Sequence, residues 1–179
     1  MPPLRATIEI GWVSAVGTLR PIRSVEIVPE SGGRVTQVPV QSGAEVAEGD
    51  LLIQLDDRAA RAALAEAEAT LAETEQEYRR FQQLEDSNAA AEAQLEEARG
   101  AFRRAEAAIM MARADLEDRS VTAPFSGTLG VIDTEPGAVL NGSDPVTRLS
   151  DLTAVEVSVT LPERYFQRVE AGQRGEITL

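Results

Sequence analysis

The sequence predicts a mixed α and β chain. A small, flattened β-sandwich is made of two repeated halves, an antiparallel α-helical coiled-coil hairpin is inserted between them, and further strands stand at both ends. Three observations lead there. Val, Ile, Gly and Pro dominate residues 1–56 and 119–179, whereas residues 57–118 contain no Pro, one Gly and 19 of the 27 Ala. The Ala-rich zone repeats its apolar residues every seven positions. The two Val/Gly-rich zones resemble each other at one constant offset of 94.

In the first zone, Thr7-Ile8-Glu9-Ile10 and Leu51-Leu52-Ile53-Gln54-Leu55 alternate or run apolar between turn residues, as short strands do. A further strand is expected near Trp12–Leu19. In the third zone Ala154–Leu161 alternates as a strand. Pro162–Val169 follows as a short helix with Pro in its first turn, and Ala171-Gly172-Gln173 turns into a last strand over Gly175–Leu179.

The central zone reads as two helices. Leu64, Leu71 and Tyr78 are seven apart, flanked by Ala60, Ala67, Thr74 and Phe81. Leu95, Phe102, Ile109 and Leu116 are seven apart, flanked by Ala91, Ala98, Ala105 and Ala112. Both sets fit the a and d positions of a coiled coil. Glu85-Asp86-Ser87-Asn88 between them is a stretch of turn and N-cap residues. In an antiparallel hairpin facing residues share one index sum, and Leu64 with Leu116, Leu71 with Ile109 and Tyr78 with Phe102 all satisfy the same sum. At ~1.5 Å per residue each arm reaches ~42 Å. Residues 57–118 hold 15 acids against 8 Arg, so over half of the net charge of −13 coats this arm.

The repeat aligns Gly33-Arg34-Val35 with Gly127-Thr128-Leu129, Gly43 with Gly137, Leu52 with Val146 and Leu55 with Leu149. Gly49 finds its counterpart in Gly142 if the second half is one residue shorter between its glycines. Two such halves build a sandwich with quasi-two-fold symmetry.

Composition excludes much chemistry. All 17 basic residues are Arg, and His and Cys are also zero. Disulfides, thiol nucleophiles and thiolate metal sites are ruled out, as are imidazole bases and lysine-borne prosthetic groups. No cofactor is expected. A metal site would rest on the thioethers of Met110 and Met111, which are adjacent and on different helix faces. A hydrolase would rest on carboxylate pairs such as Asp56-Asp57 or Glu96-Glu97, at a strand end or on a helix surface. The acidic balance argues against nucleic acid. No apolar run approaches the roughly 20 residues of a membrane span, and no signal-peptide core follows Met1.

The layout resembles a lipoyl-like (barrel-sandwich hybrid) domain split by an insertion. Over roughly residues 12–179 the chain resembles the periplasmic adaptor, or membrane fusion protein, family of tripartite efflux pumps. The resemblance is carried by Gly33-Arg34-Val35, by Val40–Leu52, by Val121-Thr122-Ala123-Pro124-Phe125-Ser126-Gly127, by Pro136-Gly137-Ala138-Val139 and by Leu149-Ser150-Asp151-Leu152. True carrier domains bear their modified Lys where this chain inserts 62 helical residues. The resemblance implies a lipoyl-like domain in two halves, 23–56 and 119–152, with structural turns at Gly33, Gly43, Gly49, Pro124, Gly127, Gly137 and Gly142. It implies a hairpin over 57–118 and an incomplete β-barrel domain from 1–22 and 153–179.

Function follows from the same resemblance as an expectation. The chain would be a non-enzymatic adaptor in the periplasm, linking an inner-membrane transporter to an outer-membrane channel for export of drugs or other small molecules. It would assemble with itself as a hexamer or other ring. Its membrane association would come only through an N-terminal anchor absent from this sequence. Drug-exporting members, the proton-driven (RND) type, dock the channel with a tip pattern of Arg, Leu, Ser and then Leu/Tyr-Asp-x-Ala. Arg80 and Leu84 match it, Ala91 stands where Ser is usual, and Glu96 after Leu95 replaces Asp. Arg80, Leu84, Glu85, Asp86, Ser87, Asn88, Ala91 and Leu95 are therefore the expected channel-contacting tip. Adaptors of ABC-type or heavy-metal exporters are the alternative.

Overall fold

The computed structural model describes residues 5–10, 13–83, 89–168, 170–174 and 176–178, with the side chains of 5–10, 13–14, 89–91, 166–168 and 176–178 left aside. The strands are β1 (Arg5–Ile10), β2 (Val13–Ile27), β3 (Gly33–Gln37), β4 (Glu45–Val46), β5 (Leu51–Leu55), β6 (Ser120–Thr122), β7 (Gly127–Leu129), β8 (Val139–Leu140), β9 (Thr147–Val159) and β10 (Glu176–Thr178). Between β5 and β6 run α1 (Arg58–Gln82) and α2 (Ala89–Glu117). A 3₁₀ turn occupies Glu163–Arg168, where the sequence predicts a short helix.

Two sheets enclose the core. One has the order β10-β1-β2-β9-β7-β4, the other β6-β5-β3-β8. Val35, Leu52, Ile53, Leu55 and Leu149 are fully buried between them, with Phe125, Leu129 and Val146 around. Most are inward positions of short strands, with Leu52 and Ile53 both turned inward at a register shift in β5, and burying each stabilises the sandwich by roughly 1.5–3 kcal/mol.

The offset of 94 is a structural symmetry. Gly33 pairs with Leu140 and Arg34 with Val139, and their counterparts Gly127 with Val46 and Thr128 with Glu45 pair in the same way. Val35 opposite Leu55 becomes Leu129 opposite Leu149. The Val35 N–H donates to the Ala138 carbonyl at 2.8 Å, and the Leu129 N–H to the Ala44 carbonyl at 2.9 Å. Even the turn before the last strand is matched: the Asp50 carboxylate accepts from the Ala47 N–H and that of Asp144 from the Asn141 N–H, both at 2.8 Å.

That last match corrects the expected shortening. Asp50 and Asp144 keep the same offset, so Gly49 corresponds to Ser143 rather than Gly142. Gly49 has φ +87°, while Gly142 stays outside the left-handed region. Gly142 lies instead against the backbone of Glu30, whose oxygen would be 3.3 Å from an added Cβ. The expected strand near Trp12–Leu19 also differs. It is the start of a 15-residue β2 that continues to Ile27, pairing with β1 over Val13–Thr18 and with β9 over Gly17–Ile27, with a register break between Pro21 and Arg23.

Both helices lie side by side, with Tyr78 stacked on Phe102 at 5.8 Å between ring centroids. On α1, Ala60 is buried, and Leu64, Ala67, Leu71, Thr74, Tyr78 and Phe81 are half-buried. On α2, Leu95, Ala98, Ala105, Ile109 and Ala112 are buried.

The symmetry exposes two asymmetric sites that make paired predictions. Thr147 is buried with its hydroxyl unpartnered among the described residues, whereas its counterpart Ile53 is aliphatic. Thr147→Val is expected to raise stability by roughly 1 kcal/mol in urea unfolding, because a desolvated hydroxyl is removed without changing shape. A Cβ on Gly127 would stand 2.6 Å from the Ser150 carbonyl oxygen, but one on Gly33 meets nothing nearer than 3.6 Å. Gly127→Ala should cost about 1–3 kcal/mol and Gly33→Ala under about 0.5 kcal/mol in the same measurement.

Candidate functional site: the helical arm and its root

The arm leaves the platform through two neighbouring strands. The Leu55 N–H donates to the Arg119 carbonyl at 2.8 Å, continuing the β5–β6 ladder beyond its last pair. The Gln54 side-chain amide donates to the carbonyls of Leu55 and Arg119, each at 3.0 Å, and accepts from the Ser120 hydroxyl at 3.1 Å. The Ser31 hydroxyl donates to the Asp118 carbonyl, capping the end of α2, and Arg119 Nη1 reaches the Gly32 carbonyl at 2.8 Å. The arm is thus tied at its root by residues from two strands and the loop before β3.

Charge completes the root. Arg58, opening α1, grips the Asp56 carboxylate with Nε at 2.9 Å and Nη2 at 2.6 Å. This grip, together with the Arg58 backbone N–H, holds Asp56 down at about 2 against its usual 3.8. The Arg61 guanidinium at 2.8 Å likewise lowers Asp57. The pair singled out as possible acid–base groups is therefore held ionised at neutral pH and occupied by Arg. On β9, the Thr153 hydroxyl and N–H and then Arg23 lower Asp151. Arg23 also lies 3.7 Å from the centroid of Phe125.

A cleft of about 470 Å³ opens beside the root, between Val25–Glu30 and Glu117–Pro124. Ile27, Pro29 and Val121 form its floor, and Glu26, Glu30, Glu117 and Asp118 its walls. Glu26 is paired with Arg148 at 2.6 Å. Among the described residues no group of His, Cys, Asp or Glu is disposed to hold a metal ion. No helix of the described residues is long and apolar enough to cross a membrane.

The far end of the arm is partly in view. Arg80 is exposed, pairs with Glu77 at 3.0 Å and lies 5.2 Å from the Phe81 ring. Leu95 is buried in the helix seam rather than displayed. Leu84, Glu85, Asp86, Ser87 and Asn88 lie outside the described residues, and so does the side chain of Ala91. In the platform, Gly33 and Gly127 open equivalent strands, and Gly43 and Gly137 adopt φ +80° and +98° in equivalent turns. Pro124 is exposed in the bend before β7. Sequence reading missed Ser31, Gln54 and Arg119. Nothing in their local pattern marks them, since their partners lie across the fold.

The ionised root makes a prediction. Asp56 titrates lower in the folded chain than unfolded, so its stabilising share is full above pH 3.8 and is lost as pH falls towards 2. Asp56→Asn should lower the melting temperature at pH 7 and flatten the acid limb of melting temperature against pH. An acid limb as steep as that of the unaltered chain would contradict it.

Known proteins share this architecture. The chain is 26% identical over 200 aligned residues to multidrug resistance protein MdtA of Proteus mirabilis, covering 100% of this chain and 49% of that protein. It is 33% identical over 142 residues to the toluene efflux pump periplasmic linker protein TtgD of Pseudomonas putida, covering 78% and 37%. Among solved structures it is similar to a MacA-MexA chimeric protein containing the Pseudomonas aeruginosa MexA alpha-hairpin domain. The TM-score there is 0.79 at 25% identity, with 94% of this chain and 60% of that one covered. The chain spans less than half the length of the curated relatives it matches. Residues 23–149 match the family described as RND MFP, barrel-sandwich hybrid domain, and on that match over most of its length the chain belongs to the RND membrane fusion protein family.

Proposed function

We propose that this chain is the platform and arm of a periplasmic adaptor, anchored to the inner membrane, that links an inner-membrane transporter to an outer-membrane channel. The exported cargo is a drug or another small molecule. The observation that carries the reading is the root. A fold that elsewhere presents one modified Lys here presents two long helices, tied into the sheet by Gln54, Ser31, Arg119 and the Asp56–Arg58 pair. Such fixation suits transmission of position, not turnover. The two helices and the residues joining them form a coiled-coil hairpin, supported by the Tyr78–Phe102 stack. Domain boundaries follow the sequence division: 23–56 with 119–152 as the lipoyl-like domain, 57–118 as the hairpin, 1–22 with 153–179 as part of a β-barrel domain. Copies assemble into a ring, a hexamer or similar, and no catalytic step or cofactor is involved.

The tip meets the channel through Arg80 and Leu84, with Glu85, Asp86, Ser87 and Asn88 at the apex and Ala91 and Leu95 beginning the return. Arg80 suits that role because its one ion pair among the described residues, with Glu77, is an exposed i,i+3 contact of little energetic weight. It can exchange that partner for a carboxylate or carbonyl of the channel. Arg80→Glu in the full-length protein is expected to abolish export while leaving helical circular dichroism and the melting curve unchanged. Undiminished export, measured as accumulation of a fluorescent substrate, would remove Arg80 from the contact.

A further inference from the structure

The cleft beside the root lies where the symmetry of the platform brings two open strand edges together. Its walls, Val25–Glu30 and Ser120–Pro124, are equivalent at the offset of 94, so that Ile27 answers to Val121 and Glu26 to Ser120. Each wall is paired on one side alone. β6 is the outermost strand of its sheet. The pairing of β1 with β2 ends at Thr18, and beyond it β2 has β9 on one side and no described strand on the other.

The pairing with β9 decides which backbone groups of β2 are spare. The Ile27 carbonyl accepts from the Val146 N–H at 2.9 Å. A trans peptide sends the next N–H the opposite way, so the Val28 N–H faces away from β9. Arg148, opposite Glu26, gives its carbonyl to the Gly130 N–H at the end of β7, at 2.7 Å. By the alternation of an antiparallel pair, the N–H and carbonyl of Glu26 likewise turn to the open side. Among the described residues these three groups have no partner. Val25 and Val28 beside them are each 40% exposed.

The charge around the cleft has one sign. Glu26, Glu30, Glu117 and Asp118 line it, and no Arg does. Arg148 pairs with Glu26, but Glu30, Glu117 and Asp118 take part in no ion pair among the described residues.

We infer that this cleft docks an extended basic segment of another polypeptide, which joins the open edge of β2 as an added strand. Main-chain bonds to Glu26 and Val28 hold the segment, and alternate side chains give it specificity. One set, spaced by about 7 Å, is apolar and turns towards Ile27 and Val121. The other set is Arg or Lys and meets Glu30, Glu117 and Asp118. A small organic cation answers the carboxylates but leaves the edge groups unpaired, whereas an extended segment answers both. A second copy of this chain, at a net charge of −13, is poorly matched to an acidic groove. The inference does not depend on the adaptor reading.

The test takes the full-length protein and a short fluorescent peptide alternating Arg and Val, followed by anisotropy. Saturable one-to-one binding is expected, and the amides of Glu26 and Val28 should gain at least about tenfold protection from hydrogen exchange. Glu30→Gln with Glu117→Gln and Asp118→Asn should weaken binding at least about tenfold and leave the melting curve unchanged. Glu66→Gln with Glu68→Gln and Glu73→Gln removes the same charge from the arm and should weaken binding less than about twofold. N-methylation of one alternate set of peptide nitrogens should weaken binding at least about tenfold, and that of the other set much less, since only one set faces the edge. Displacement of the peptide by benzyltrimethylammonium, with neither methylated set impaired, would make the cleft a small-cation site and overturn the added strand. Absence of saturable binding would overturn it as well. So would protection of the same amides without peptide, rising with protein concentration, because a second copy would then fill the groove.

Discussion

Each half of the platform is completed by a strand from the other, and the rest of the structure depends on that exchange. β3 pairs with β8 and β4 with β7, in registers related by one offset. Neither half can satisfy all of its backbone alone, so residues nearly a hundred positions apart must meet to complete either sheet. The meeting places β5 beside β6, and this fixes where the helices leave and return. An insertion of two helices would otherwise carry a large closure entropy. Here the strands have already met that cost, because they pair whether or not helices lie between them.

Electrostatics is layered on this frame with Arg as the only cation. Where a guanidinium is bound to a definite place, it does structural work: Arg58 on Asp56, Arg119 on the Gly32 carbonyl, Arg23 on Phe125. Planar, multi-donor and always charged, Arg suits such fixed geometry better than a flexible ammonium. Along the middle of the arm the charges are instead largely exposed, mostly Glu on α1 and mostly Arg on α2, with Glu75 and Glu77 paired to Arg79 and Arg80. The same residue type thus stiffens the root and solvates the arm.

Much of this was legible in the sequence because periodicity reports burial. Nearly every position on the heptad list, from Ala60 through Phe81 and from Leu95 through Leu116, is withdrawn from solvent, while most neighbours are exposed. The index sum found the Tyr78–Phe102 contact. The repeat was visible because Gly33, Gly43 and several apolar positions recur at one offset. What escaped detection was geometry without periodicity. The Gly49–Gly142 equivalence failed because residue type was matched where the Asp50 and Asp144 caps actually hold the alignment. The root bonds of Gln54, Ser31 and Arg119 depend on which strands become neighbours, and no local pattern encodes that.

The closure of the root by strand bonds also separates the arm's length from the platform's integrity. Nothing in the ties at Gln54, Leu55 and Arg119 involves residues beyond the first turn of α1 or the last of α2. Heptads can therefore be added to or removed from both helices together without disturbing the sandwich. Each pair changes the reach by about 10 Å, at ~1.5 Å per residue. The architecture behaves as a strut of adjustable span on a constant mount, so the distance bridged can drift over evolutionary time while the mount stays the same.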